Sequence, residues 1–529
     1  TILVDAMNIV AGGFTSSGAT TLTAHDDATG NVIDAGGAAT VTATDNVTGG
    51  TIDAVGAVNV TATTGNVDGL AIESDNLVNV TATSESILNT TATGRLAVTF
   101  DADDSVIDGS AVSLTSTVRI DADDGEIDGI NVNAGTTATL VATDTDNTGD
   151  GTIDNVEVTA AGTVTATAND GFSGGNLEST EANVVATATT GDIDDLVAVA
   201  YTQARILAST GNITGGGATS RTADADIDAT LGDITGLTIE AATTANVLAG
   251  ADATGLEVDA TTILVDAMNI VAGGFTSSGA TTLTAHDDAT GNVIDAGGAA
   301  TVTATNDVDG LAAMAHGLAT VTAQYGSITG SSATSDADAA VLTAGREIDG
   351  TDVAAWLGIT ATSGDSVAAS SFVSETGNVL LNSGNDIVGT TVYAKVGDAE
   401  LNAVNEIDAT NVTAGGSAFA TAGIGIVASS FIAENGDVDI EATTGSIVDT
   451  TVVVKDLDHS GDDLVIIEAG GELDALWVAA AGDIDASGSY IVDGMYLSEG
   501  GDIRLVTDLG SIIGTDVVTK DGDIILRSA

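Results

Sequence analysis

The sequence predicts an all-β chain, a single long right-handed parallel β-helix, or β-solenoid. It would have about 20 residues per coil, roughly 26 coils and three short strands in each coil. Three observations carry this prediction: a constant step between equivalent apolar positions, strict alternation of apolar and polar residues, and the absence of proline from all 529 residues.

The step is clearest around a recurrent G-x-I-D-G element. Gly65-Asn66-Val67-Asp68-Gly69 is followed by Ile87-Leu88-Asn89, Ile107-Asp108-Gly109 and Ile127-Asp128-Gly129, so the apolar position moves from Val67 to Ile87, Ile107 and Ile127. The same step separates Val308, Ile328 and Ile348, and again Ile387 and Ile407. One strand of each coil reads like Val58-Asn59-Val60-Thr61-Ala62-Thr63. A second is the G-x-I-x-G element, and a third is a brief alternation such as Ile130-Asn131-Val132-Asn133-Ala134. Apolar residues at every second position mark strands with one buried face. Gly and Asn between them suit turns that need positive φ. Val60, Val80, Phe100, Ile120 and Leu140 are therefore expected to stack as one interior column.

Composition agrees. Proline cannot donate to a β ladder, and aromatic residues make up only 3% of the chain, too few for a bulky core. With no cysteine, disulfides play no part, and the redox compartment is left open. The net charge of −67, from 10 Lys+Arg against 77 Asp+Glu, excludes nucleic acid and anionic membrane as natural partners. No apolar run approaches the roughly 18 residues of a membrane span, so no membrane insertion is expected. Some acids fall one coil apart, as Asp101 and Asp121, Asp103 and Asp123, and Asp104 and Asp124 do. Carboxylates stacked at about 4.8 Å repel, which predicts a need for salt or divalent cations.

Residues 1–529 are read as one continuous solenoid with two interruptions. The steps from Ile127 to Ile153 and from Ile447 to Leu473 are longer than the others, and equally so, which places insertion loops near 143–152 and 455–464. The first contains Asp144, Asp146 and Asp150, and the second Asp456, Asp458 and Asp462. Both fit D-x-D-x-[ST]-G-D, the opening of a calcium loop, although neither carries a clear bidentate Glu at its twelfth position. These six aspartates are the candidate Ca²⁺ ligands, against the alternative of solvated acidic turns. Residues Thr1 to Thr44 recur identically as Thr262 to Thr305, and the copies diverge at Asp45 and Asn306. Such identity implies tandem duplication within a repetitive array.

At the ends, Thr1-Ile2-Leu3-Val4 and Gly522-Asp523-Ile524-Ile525-Leu526 read as strand without a cap. Uncapped coils predict either a cut from a longer rod or end-to-end assembly of copies.

Stretches such as Ala481-Gly482-Asp483-Ile484-Asp485-Ala486-Ser487-Gly488 and Glu499-Gly500-Gly501-Asp502-Ile503-Arg504-Leu505 resemble repeats of the filamentous-haemagglutinin-type bacterial surface exoproteins. The resemblance covers most of the chain and rests on Gly, Asp and aliphatic spacing. It implies a right-handed β-helix displayed outside a bacterial cell as an adhesin or stalk. No secretion domain of that family is recognisable at the start of the sequence.

Catalysis is not expected. The seven Arg and three Lys are scattered, and the sequence holds no Cys nucleophile, G-x-S-x-G elbow or phosphate loop. His25 and His286 are copies of one position, while His316 and His459 sit alone. Asp pairs such as Asp123-Asp124 could serve a polysaccharide-active enzyme, but solvated turns are the simpler reading. Thr-x-Thr pairs at Thr42/Thr44, Thr61/Thr63 and Thr81/Thr83 raise an ice-binding alternative; the ladder then breaks at Asp101 and Asp121. Glycan acceptor sequences occur at Asn46, Asn59, Asn79, Asn89, Asn212 and Asn411. No aromatic cluster marks a binding patch. The expected function is a structural subunit of an extracellular or cell-surface filament, with copies of itself, and also divalent cations or glycans, as partners. A β-helical adhesin is the alternative.

Overall fold

The computed structural model describes residues 1–145, 147–455 and 463–529. They form two units, Thr1–Met268 and Asn269–Ala529. Both are parallel β-solenoids, and the chain has about 26 turns of about 20 residues. Among the described residues there is no helix, and so none long and apolar enough to cross a membrane.

In the first unit the leading strand of a turn is five residues long, as in Val58–Ala62, Val78–Ala82 and Val98–Ala102. Each pairs in parallel with its equivalent one turn on. Val60, Val80, Phe100, Ile120 and Leu140 lie in register and form the expected interior column. Each is at most 1% exposed. The alternating pattern puts Val58, Val60 and Ala62 inside and Asn59 and Thr61 outside. A single turn cannot bury its apolar face; its neighbours above and below do so. A buried Val, Leu or Ile in such a column contributes about 1.5–3 kcal/mol.

The turns differ from the expected three strands in two places. From Ala28–Ala35 to Ile127–Ala134, the second and third strands run together as eight residues. At Thr238–Ala249 and Glu257–Ala267 the third strand of one turn continues into the first of the next. One column member also differs. Val106, not Ile107, stands between Ile87 and Ile127, and Ile107 faces outward beside Leu88 and Asp128. The step from Ile87 to Val106 falls short of the mean and that from Val106 to Ile127 exceeds it, and a constant step averages the two away.

One left-handed corner recurs in every turn, at the position after the buried residue and its outward neighbour. Gly69, Gly129 and Gly215 occupy it with φ of 66°, 65° and 65°. Glycine adopts this conformation without a Cβ penalty. Elsewhere the corner is Asn89 or Asp108, or an alanine such as Ala369, Ala409 or Ala428.

Across the first of the two long steps Ile127 pairs with Ile153, and Ala142 stacks on Ala168. In the second unit Ile447 pairs with Leu473 across the other long step. There Val302, Val321, Leu342, Ala361, Leu381 and Leu401 form the interior column. Beside it runs a column of buried hydroxyls: Ser331, Thr351, Ser370, Thr390, Thr410 and Ser429. Each donates to the carbonyl two residues earlier, as Ser429 does to Val427 at 2.8 Å. Several also accept a backbone N–H from the preceding turn, as Ser370 does from Thr351 at 3.1 Å. These bonds satisfy polar atoms that would otherwise be costly inside.

Candidate functional site: acidic corners and inter-turn ladders

The polar residues of the corners bond from turn to turn. In the first unit Asn8 Oδ1 accepts the N–H of Asp27 at 2.9 Å, and Asp27 Oδ1 that of Asn46 at 3.1 Å. Asn46 and Asn66 continue the series with the N–H groups of Asn66 and Ser86, both at 2.9 Å. Ser86 and Ser105 then accept from Ser105 and Glu126. In the second unit Asn378, Asp398, Ser417 and Asp437 do the same for Asp398, Ser417, Asp437 and Leu464. A carboxylate or amide at a corner thus closes a backbone group that the strand ladder leaves over.

Asp27 of this ladder and the adjacent Asp26 and Asp45, each half-buried, offer carboxylate oxygens within 4.8 Å of one another. The duplicated segment is informative here, because its identity stops just before Asp45. In the second copy Asn306 replaces Asp45 and donates its amide to Asp287, so one of the facing carboxylates is exchanged for a donor.

The residues expected to bind calcium are placed as follows. Asp144 accepts the N–H groups of Thr148 at 3.2 Å and Gly149 at 2.8 Å, closing its own loop. The Gly149 bond is the main cause of a carboxyl held below its usual range. Asp150 is exposed, and its carbonyl accepts the N–H of Thr152 at 2.8 Å. Asp146, Asp456, Asp458 and Asp462 lie outside the described residues, as does His459.

Some acids stack from turn to turn. Asp101 and Asp121 pair directly across turns. For Asp123, burial and then the carboxylates of Asp121, Asp101 and Asp103 push the carboxyl above its ordinary value. Burial does the same at Glu126, Asp154, Asp194 and Asp439, each with like-charged neighbours. Basic residues are placed to relieve this charge: Arg504 lies 2.7 Å from Asp485, Lys395 2.6 Å from Glu375, and Arg119 pairs with Asp121. His316, solitary in the sequence, pairs with Asp336 at 2.7 Å, and His25 with Asp5 at 2.7 Å.

Thr44, Thr63 and Thr83 are exposed just past the ends of their strands, and within the strands the outward residues are Thr40/Thr42, Asn59/Thr61 and Asn79/Thr81. Asn59 and Asn79 share one outward row, with Asn79 donating to Asn59 at 2.9 Å. In the second unit an open groove of about 630 Å³ is lined by Leu357, Asn378, Leu380, Asp398, Glu400 and Phe419. Sequence reasoning missed this groove, because its residues come from five successive turns of unequal length.

Comparison with known protein families, with characterised proteins and with solved structures finds no match to this chain.

Proposed function

We propose that the chain is a structural subunit of an extracellular or cell-surface filament, of the kind implied by its resemblance to filamentous-haemagglutinin-type repeats. The observation that supports this reading is the corner ladder. Asp27, Asn46, Asn66 and Asp398, residue types that elsewhere serve as ligands or acid–base groups, are committed to holding one turn on the next. The contact between successive turns is parallel and in register, and a turn from another copy can make the same contact, giving a heterologous and open assembly. Divalent cations belong to this proposal as counter-ions for columns such as Asp101 and Asp121.

Electron microscopy of the purified chain tests the proposal. Regular fibres are expected, and isolated short particles at every concentration would overturn it. Chelator added to the same sample is expected to loosen the fibres.

One observation favours a β-helical adhesin as the second reading. The groove at Leu380 and Phe419 sets apolar side chains beside Asp398 and Glu400, an arrangement suited to holding a ligand. Binding on a glycan or peptide array that Phe419→Ala abolishes would favour that reading.

A further inference from the structure

The third strand of each turn has one outward residue near its end, and across the second unit these residues form a row that changes character. Val373, Tyr393, Ile432, Val453, Leu497 and Val518 lie on it in register, separated only by one Thr and one Ala. Tyr393 and Val518 are 36% and 55% exposed, and Trp477 and Met495, 43% and 39% exposed, stand on the adjoining row. In the first unit the same row holds Asp34, Asp53 and Glu73 in successive turns. An apolar strip in a chain of net charge −67 marks a surface that another surface covers.

The corner beside the strip says what that surface is. Reading along it turn by turn gives Glu375, Lys395, Gly415, Glu434, Lys455, Ala481, Glu499 and Lys520. The order is acid, base, small, repeated, and it contains every lysine of the chain. Glu375 and Glu434 already hold Lys395 and Lys455 at 2.6 and 3.3 Å. Reversed, the row reads base, acid, small. Two copies laid face to face and antiparallel, about a two-fold axis crossing the strip between Ile432 and Val453, therefore set each Glu against a Lys and each small residue against a small one. An isologous contact requires such self-complementarity. The strip and its corner measure about 35 Å by 15 Å, roughly 500 Å² in projection. The side-chain-covered face is larger, which brings it near the roughly 800 Å² per partner of a specific interface.

We infer that this face of the second unit is a self-association surface through which two copies of the chain pair antiparallel. The inference rests on the filament reading only in supplying its lateral contact.

Sedimentation of the full chain over a range of concentrations tests it. The chain is expected to dimerise, and Ile432→Asp/Val453→Asp to weaken dimerisation at least 100-fold with an unchanged circular dichroism spectrum. Lys395→Glu/Lys455→Glu and Glu434→Lys/Glu499→Lys alter only the exposed corner. Each is expected to dimerise at least tenfold more weakly alone, and an equimolar mixture to recover the wild-type constant, since the changed charges then face one another across the axis. A wild-type chain that stays monomeric, an Ile432→Asp/Val453→Asp variant that pairs normally, or a mixture without recovery would overturn the inference. Electron microscopy separates the two readings. Narrower fibres from the Ile432→Asp/Val453→Asp variant support both, whereas dimers that never form fibres leave the pairing standing and remove the filament.

Discussion

Gly494 lies against the ring of Tyr496, two residues along the same turn. A Cβ at Gly494 would sit 2.7 Å from Cε2 of the tyrosine, closer than packed atoms approach. The tyrosine is 0% exposed, stacked between Val478 and Val517, and its hydroxyl finds no hydrogen-bond partner among the described residues. Burial pushes its phenol well above the usual range. The same device recurs where Gly12 admits Phe14 and Gly273 admits Phe275. A narrow interior takes a large ring only where the facing corner gives up its side chain.

Two substitutions follow. Gly494→Ala is expected to cost about 1–3 kcal/mol by overpacking. Tyr496→Phe removes an unpaired buried hydroxyl and is expected to stabilise by about 1 kcal/mol. Urea unfolding midpoints of the two variants check both signs; a Tyr496→Phe variant less stable than wild type would mean that the hydroxyl has a partner in solution.

The left-handed corners give a second pair. Ala409 holds a φ of 50°, a conformation that costs an L-residue about 1–2 kcal/mol. Ala409→Gly relieves this, less the entropy a glycine adds to the unfolded chain, for an expected gain of about 0.5–1 kcal/mol. At Gly389, where φ is 59° and the nearest atom to an added Cβ is 4.0 Å away, Gly389→Ala is expected to lose about 1 kcal/mol through the backbone alone. Thermal unfolding of the two variants should move in opposite directions.

The acid columns predict an unusual response to pH. The carboxyls of Asp123, Glu126, Asp154, Asp194 and Asp439 are raised in the folded chain, chiefly by burial. The folded state therefore binds protons more readily than the unfolded state, and their protonation favours folding. Their contribution is lost as pH rises through the raised values and is fully present below the ordinary carboxylate values of 3.8 for Asp and 4.5 for Glu. Asp144 acts in the opposite sense from an exposed loop. The melting temperature is expected to rise as pH falls from 7 toward 4. Asp101→Asn, which removes a repulsion of up to about 0.9 kcal/mol, should raise it at low salt and much less in 1 M salt. A melting temperature that falls steadily with acidification would contradict this assignment.

The fold was legible in the sequence wherever a turn keeps its mean length. The column from Val60 to Leu140 advances in equal steps, and its members were identified in full. Ile107 was misplaced because one turn is short and the next long. The apolar row of the second unit was illegible for the same reason: the steps from Val373 to Tyr393, Ile432 to Val453, Val453 to Ala479 and Ala479 to Leu497 all differ in length. The three lysines looked scattered in the sequence and share one corner in the structure. The two long steps were legible as departures from the period: Ile127 meets Ile153 and Ile447 meets Leu473. The Asp26, Asp27 and Asp45 group had no sequence motif, because it joins two adjacent turns rather than one loop.

The corner ladder also has a direction. At Asn8, Asp27, Asn46 and Asn66 the side chain of the earlier turn accepts, and the backbone N–H of the later turn donates. A turn already laid down thus displays its acceptors before the next one arrives. As the chain emerges from the ribosome amino terminus first, each finished turn is a template for its successor. Folding can then proceed vectorially, with only local closure needed at every step.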